Sequence, residues 1–444
     1  MLFYYEKNLF VCAVAMVAMC AVSCNKTSDT NPDVVSGRSA RVSISLTGAN
    51  VGSDTKALPV EGDEVLVNTV DAFVFNATGD IDSYGHYAAS DFTTTAGTTK
   101  LNDGKELECT TGAGKIVYIV INGNDTNLSS GEVAFANIKN EAELKARIFK
   151  LEDNKIAAGT PPSDQLKNFQ MIGKTANQTF KAGDNDVDVE VQRSVARVVI
   201  KKITKHFASE GLAPNDLIVK NIYMENVVGR YGFGNIVDGD YKFDGSSIAA
   251  AYPAANWHNK YVPAVADPAT PATVDIEASY NLWLNRSLAA GVTFGANTTA
   301  VDGGVSKTSE IESTFYVMPN DVAWGYDDDL DPATAVVFGP VGGATWGARH
   351  TKLVVETEYA GKTYYYSIPI AKNDVYPMGD DADTGAGYAG IKANTSYEID
   401  ELVLTRLGST NPDEPTVAAM VNFNITVKPW VIQKLETETG KYVI

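Results

Sequence analysis

Alternation of apolar and polar positions recurs along this chain and sets its class. In Arg41-Val42-Ser43-Ile44-Ser45-Leu46 every second residue is apolar, the pattern of a strand with one buried face. Val187, Val189 and Val191 alternate with Asp188, Glu190 and Gln192. Val421, Phe423, Ile425 and Val427 alternate with Asn422, Asn424, Thr426 and Lys428, which predicts a strand with one face in solvent. Two further runs are apolar on nearly both faces and predict central strands, Val70–Phe75 and Lys115–Ile121, and a strand at Val195–Ile200 follows the 187–191 alternation after a short break. The second of these ends at the turn Asn122-Gly123-Asn124-Asp125. Shorter strand signals follow at Leu217–Val219, Phe315–Val317, Leu353–Val355, Tyr364–Tyr366 and Leu402–Leu404. One helix is predicted. Asn140-Glu141-Ala142-Glu143 has the form of a capping box, and Leu144, Ile148 and Leu151 then share one face. Stretches rich in Gly, Ala, Asn and Pro at 249–275 and 287–310 read as long loops. Many strands, few helices and no solenoid or propeller repeat predict a mainly β protein: two antiparallel β-sandwich domains in tandem, with one or two short helices and long loops.

The N-terminus follows another pattern. An apolar run from about Leu9 to Val22 ends in Ala21-Val22-Ser23-Cys24, small residues leading into a cysteine. That suits a signal peptide (1–23) cut before a lipidated Cys24. Glu6 and Lys7 leave its first segment without the usual positive charge. A membrane-anchoring helix is the alternative, but the run is short of the roughly 20 residues a bilayer needs. The polar run from Asn25 to Asp33 reads as a tether. After the strand at 41–46, Gly52-Ser53-Asp54-Thr55-Lys56-Ala57 reads as a loop open to a trypsin-like protease. A strand that precedes a cuttable loop is a strand that can be removed.

Charge narrows the choice of partners. The 444 residues carry a formal net charge of −19, which argues against nucleic acid, because phosphate binding calls for clustered Lys and Arg. The four cysteines are Cys12, Cys20, Cys24 and Cys109. Beyond the leader and the lipidation site only Cys109 remains, so the mature chain forms no internal disulfide, and the thiol reads as buried and inert. The four histidines, His86, His206, His258 and His350, are scattered. No HExxH, GxSxG, GxxxxGK[ST] or strand-to-helix GxGxxG occurs. Asp327–Asp331 and Asp380–Asp383 are acidic runs whose carboxylates could ligate calcium, but they lack the spacing of an EF-hand and read better as solvated loops. Neither a cofactor nor a metal site is expected, and an enzyme has no positive support. Tyr241, Tyr252, Trp257, Tyr261 and Tyr280 lie in or near the long loops. They fill loop cores or, alternatively, bind sugar.

Four ordered segments resemble the Bacteroidales fimbrillins, the type V pilins. Ser23-Cys24-Asn25-Lys26 resembles the family's lipidation junction. Arg41–Leu46 followed by Lys56-Ala57 resembles its first strand and processing site. Phe169–Gly173 through Phe180–Gly183, then Gln192–Arg197, resembles the junction between its two domains. Asn411–Pro415 and then Ile425–Trp430 resembles its closing segment. One departure is Lys56, where well-known members carry arginine. The resemblance implies two transthyretin-like sandwiches, divided as 24–56 lipidated propeptide, 57–193 N-terminal domain, 194–430 C-terminal domain with long loops, and 431–444 candidate donor strand.

The resemblance also implies a life history. The precursor is held at the outer membrane by acyl chains, palmitate among them, on Cys24. A trypsin-like surface protease cuts between Lys56 and Ala57, and the first strand leaves. Its slot exposes unpaired backbone and apolar side chains, an edge that demands a partner. A segment of another, identical or related, subunit fills it by strand addition, and such a head-to-tail contact propagates as a fibre. The donor candidates are Val431, Ile432, Leu435, Tyr442, Val443 and Ile444. The alternative for this tail is a last strand in its own sheet. A shaft subunit supporting adhesion is the first expectation. The second is a tip adhesin, or a monomeric glycan-binding surface lipoprotein facing a host or bacterial receptor.

Overall fold

The computed structural model describes residues 39–48, 64, 66–95, 98–123, 135, 137–154, 169–207, 217–238, 257–262, 273–277, 284–293, 298–301, 304–309, 313–320, 351–370, 391–412, 421–429 and 436–437. Its first half holds β1 (Ser39–Gly48), β2 (Leu66–Val67), β3 (Thr69–Phe75), β4 (Ile81–Ala88), β5 (Phe92–Thr95), β6 (Thr98–Leu101), β7 (Leu107–Thr110) and β8 (Gly112–Ile121). Helix α1 (Glu141–Lys145), β9 (Ile148–Lys150), β10 (Met171–Phe180) and β11 (Gly183–Arg193) complete it. Next come β12 (Ala196–Ile200), β13 (Ile203–Phe207), β14 (Ile218–Glu225), β15 (Val227–Val228), β16 (Arg230–Gly232), helix α2 (Phe233–Asp238), β17 (Trp257–His258), β18 (Lys260–Val262) and β19 (Thr273–Asp275). The last group is β20 (Asn285–Thr293), β21 (Thr298–Val301), β22 (Gly304–Ser309), β23 (Ser313–Val317), β24 (Lys352–Tyr359), β25 (Lys362–Pro369), β26 (Thr395–Leu404), β27 (Val421–Pro429) and β28 (Glu436–Thr437).

The mainly β expectation holds, and every strand signal named above lies on a strand or at its edge. The first sheet runs β4-β3-β8-β10-β11-β1-β6-β5, with β7 also paired to β1. A second sheet runs β21-β22-β13-β26-β12-β23, with β27 on β26, and a third runs β20-β14-β24-β25. The first is built wholly from residues before Ser194, the other two wholly from residues after it. The doubly apolar runs lie on interior strands of the first sheet, β3 between β4 and β8 and β8 between β3 and β10, and successive residues of both are buried.

Two features depart from expectation. The sheets are not purely antiparallel, because β1 runs parallel to β11, and β12 and β13 both run parallel to β26. Alternation marks which face of a strand is buried but carries no direction. Direction comes from which distant strand edge is free, and β1 meets β11 across more than 130 intervening residues. The predicted helix is also shorter. Asn140 caps it as expected, accepting from the Glu143 N–H at 2.9 Å, while Glu143 reaches back to the Lys139 N–H at 2.8 Å. It ends at Lys145, and Ile148 then enters β9, which pairs with β16. A long-range ladder outcompetes two more turns of helix, so Leu144 and Leu151 are buried but Ile148 is exposed.

The segment 227–238 packs back on the first half. Phe233 of α2 meets the rings of Tyr118 and Phe149, and Lys145 of α1 bonds Asp238 at 2.9 Å. Trp257, one of the loop aromatics, is buried, as a core-filling role requires.

Candidate functional site: the slot of the first strand

Strand β1 is inserted, not appended. Its whole length lies beside β11, in register from Ala40↔Gly183 to Gly48↔Val191. On its other side β7 pairs with its first half, Ser39↔Thr110 to Val42↔Leu107, and β6 with its second, at Ser45↔Lys100 and Leu46↔Thr99. Ala40, Val42, Ile44 and Leu46 point inward and are each 0% exposed. Burying the last three stabilises the domain by about 1.5–3 kcal/mol apiece. Taking β1 out removes this apolar row, and so uncovers the core it packs on together with the backbone groups of β11, β7 and β6 that pair with it.

The outward face is charged. Arg41 pairs with Asp184 at 2.7 Å and stands opposite Glu108 of β7 in the register. Asp186, Asp188 and Glu190 continue the acidic row along β11, with Lys100 of β6 answering Asp186 at 3.0 Å. Directly opposite Ala40 is Cys109. Burial pushes this thiol up to about 12, helped by the nearby Asp82 carboxylate, while Lys115 works the other way. The inert thiol read from the sequence is thus explained by position.

Two side-chain clusters frame the slot. The first joins β4 to β7 where no backbone ladder runs between them. Lys115 donates to Asp82 at 2.8 Å, Asn76 at 2.7 Å and Thr110 at 2.9 Å, while Asp82 also accepts the Thr110 N–H at 2.9 Å. The second holds the chain just beyond residues 49–63. The Glu64 carbonyl accepts from Arg193 Nε at 3.0 Å, and its carboxylate takes the Tyr316 hydroxyl at 2.5 Å and lies 3.6 Å from Arg197. Arg193 closes the first sheet and Arg197 opens the second, so Glu64 sits at the junction of the two halves. The order is therefore one strand locked in a slot, a connecting segment with Lys56, and then a second anchor.

Cys24, Lys56, Ala57, Val431, Ile432, Leu435, Tyr442, Val443 and Ile444 lie outside the described residues, as do His350 and the two acidic runs. Of the tail, β28 is described, and it pairs parallel to β2 through Glu436 and Thr437. His86 lies 2.8 Å from Asp71 and His258 3.1 Å from Glu277, in separate sheets. Burial raises the Asp71 carboxyl above its ordinary range, against the hydrogen bonds from His86 and Tyr84. Among the described residues no group of three or more His, Cys, Asp and Glu is placed to hold a metal, and no helix is long and apolar enough to cross a membrane. Sequence reasoning found β1 but not its acidic rim, the Lys115 cluster or Glu64. The acidic row at 184, 186, 188 and 190 was the visible signal, and its counter-charge on β1 was hidden by sequence distance.

Among curated proteins no sequence matches. Solved structures are similar in fold. A candidate cell adhesion protein from Parabacteroides distasonis aligns with TM-score 0.50 at 14% identity, covering 89% of this chain and 100% of that one. A fimbrilin from Porphyromonas gingivalis aligns with TM-score 0.49 at 18% identity, covering 88% and 98%. A candidate cell adhesion protein from Bacteroides eggerthii aligns with TM-score 0.47 at 16% identity, covering 90% and 98%. Such identities speak of fold alone. The sequence match is to a family model, that of the major fimbrial subunit protein (FimA), and it begins inside β1 and ends just past β12, at residues 40–201. The fimbrillin resemblance read from the sequence is thereby borne out, and it is to the major fimbrial subunit family that residues 40–201 of this chain match.

Proposed function

We propose that this chain is a structural subunit of a surface fimbria, exported as a lipoprotein precursor, activated by proteolysis and polymerised by strand exchange. One observation carries this most: β1 is paired on both edges, along β11 on one side and with β7 and β6 on the other, and its inward face is buried, yet it is joined to the rest of the described chain only through residues 49–63. A strand so placed stabilises the precursor and blocks its own slot. A cut after Lys56 separates it from Glu64, which stays anchored at the junction. The same cut frees the subunit from acyl chains on Cys24, so surface arrival and assembly become one event. The vacant slot then accepts a strand from an identical or related subunit, through main-chain hydrogen bonds and pockets for alternate side chains. The role is structural, with no catalytic step beyond the external protease. The two sheets after Ser194 form the C-terminal domain, and 57–193 the N-terminal one.

The test is the mature N-terminus of protein sheared from the cell surface, read by mass spectrometry. A chain beginning at Ala57 in SDS-resistant ladders is the expected result. A monomer beginning at acylated Cys24 would overturn it and leave an anchored lipoprotein. Replacing Lys56 with Ala is expected to trap that monomer. Ladders from the variant, with no cut at Arg38 or Arg41, would also count against the scheme.

A further inference from the structure

We propose that Lys115 and Asn76 become joined by an amide bond between their side chains, with Asp82 as the base that frees the lysine amine. This is a self-modification within one chain, and it holds whether or not β1 is removed.

Strand register brings the two residues together. Phe75 of β3 stands opposite Ile116 of β8, so one further step along both strands sets Asn76 opposite Lys115. By alternation they continue the row of Ala72, Val74, Val117 and Ile119, which is fully buried. The turn after β3 fixes Asn76: its N–H donates to the Asp80 carbonyl at 2.9 Å, and its carbonyl accepts from the Gly79 N–H at 2.8 Å. Gly114, at φ +73°, lets β8 close on this turn, since a Cβ there would stand 3.0 Å from that of Ala77.

Lys115 Nζ consequently lies 2.7 Å from Asn76 Oδ1 and 2.8 Å from Asp82 Oδ2. With a C=O bond of about 1.23 Å, Asn76 Cγ is about 3.5 Å from that nitrogen, the outer limit of a near-attack geometry. The Lys115 and Asp82 side chains are only 3% and 6% exposed, so water neither solvates the pair well nor competes as a nucleophile. Moving one proton within the pair removes two buried charges at once and leaves a neutral amine. Asn76 is half-buried, which gives the departing ammonia a way out.

The step balances. The Lys115 ammonium gives one proton to Asp82. Asn76 turns the face of its carboxamide to the freed lone pair, and Nζ attacks Cγ. As the Nζ–Cγ bond forms, Asp82 hands its proton to Nδ2 and takes another from Nζ. The Cγ–Nδ2 bond breaks, and ammonia leaves with that second proton as ammonium. Nothing is oxidised or reduced. Asp82 keeps the Thr110 N–H at 2.9 Å and the Thr110 hydroxyl at 2.8 Å, and the new amide N–H stands where the ammonium was. The buried ion pair is thus the state in which the chain folds, and the amide is what it matures into.

The test is peptide mass spectrometry of the full chain, incubated folded at neutral pH, then denatured and digested with trypsin. The expected product is peptide 57–100 joined to peptide 106–139, uncut after Lys115 and about 17 Da lighter than the two together, for the lost ammonia. Lys115→Arg keeps the charge and Asn76→Ala removes the electrophile, and neither should give the joined peptide. Asp82→Asn keeps both partners and is expected to slow joining on the order of a hundredfold or more. Separate peptides of unchanged mass from the folded wild-type chain overturn the proposal and leave a buried ion pair only. A loss of about 18 Da at a link between Lys115 and Asp82 overturns the choice of Asn76. Joining of Asp82→Asn at the wild-type rate overturns the role of Asp82. Failure of strand exchange would leave this result untouched, because every group involved lies on β3, β4, β7 and β8.

Discussion

Cys109 shows how one residue reports on the state of the whole slot. Its thiol faces Ala40 and is kept protonated by burial, up to about 12. If β1 leaves as proposed, Cys109 loses its neighbour Ala40 and the value is expected to fall towards the ordinary one near 8.5. More thiolate at pH 8 and better access act in the same direction. Maleimide labelling of the processed subunit before assembly is expected to run on the order of a hundredfold faster than in the precursor, and to slow again in polymer. Equal rates in precursor and processed subunit would mean that β1 stays in place after cutting. That Cys109 is buried was legible from its place in a strand-forming run. That Ala40 of β1 stands opposite it was not.

Among the elements, β1 and β7 are held by different physics. The Arg41–Asp184 pair is largely exposed, at 53% and 75%, and contributes no more than about 1 kcal/mol in the precursor. The Lys115–Asp82 pair is buried, at 3% and 6%. Lys115→Met strands Asp82 without its cation and is expected to cost about 3–5 kcal/mol in urea unfolding of the precursor. Arg41→Ala is expected to move the same midpoint little. If the two variants unfold alike, the Lys115 cluster is not what joins β4 to β7. The strands themselves were readable, because alternation and doubly apolar runs report burial directly. The helix was readable at its cap but not in its length. Ile148 fits a helical face locally, and only the ladder with β16 draws it into a strand.

In the whole molecule, Glu64 ties the two halves together just beyond the predicted cut. It touches Arg193, Arg197 and Tyr316, which come from both sides of the junction. Glu64→Ala is expected to lower the precursor's unfolding midpoint and split one calorimetric transition into two, while β1 still protects Cys109. A single, unshifted transition would show that the junction holds without it. By itself, the amino-acid sequence determined the β class and the strand positions, and it carried the resemblance to the major fimbrial subunit family that residues 40–201 match. These follow from local periodicity and short ordered motifs. The direction of β1, its place between β11 and β7, the acidic walls around Arg41 and the Glu64 anchor were decided only by the tertiary structure. Each joins residues far apart along the chain, and side-chain periodicity records which face is buried, not against what.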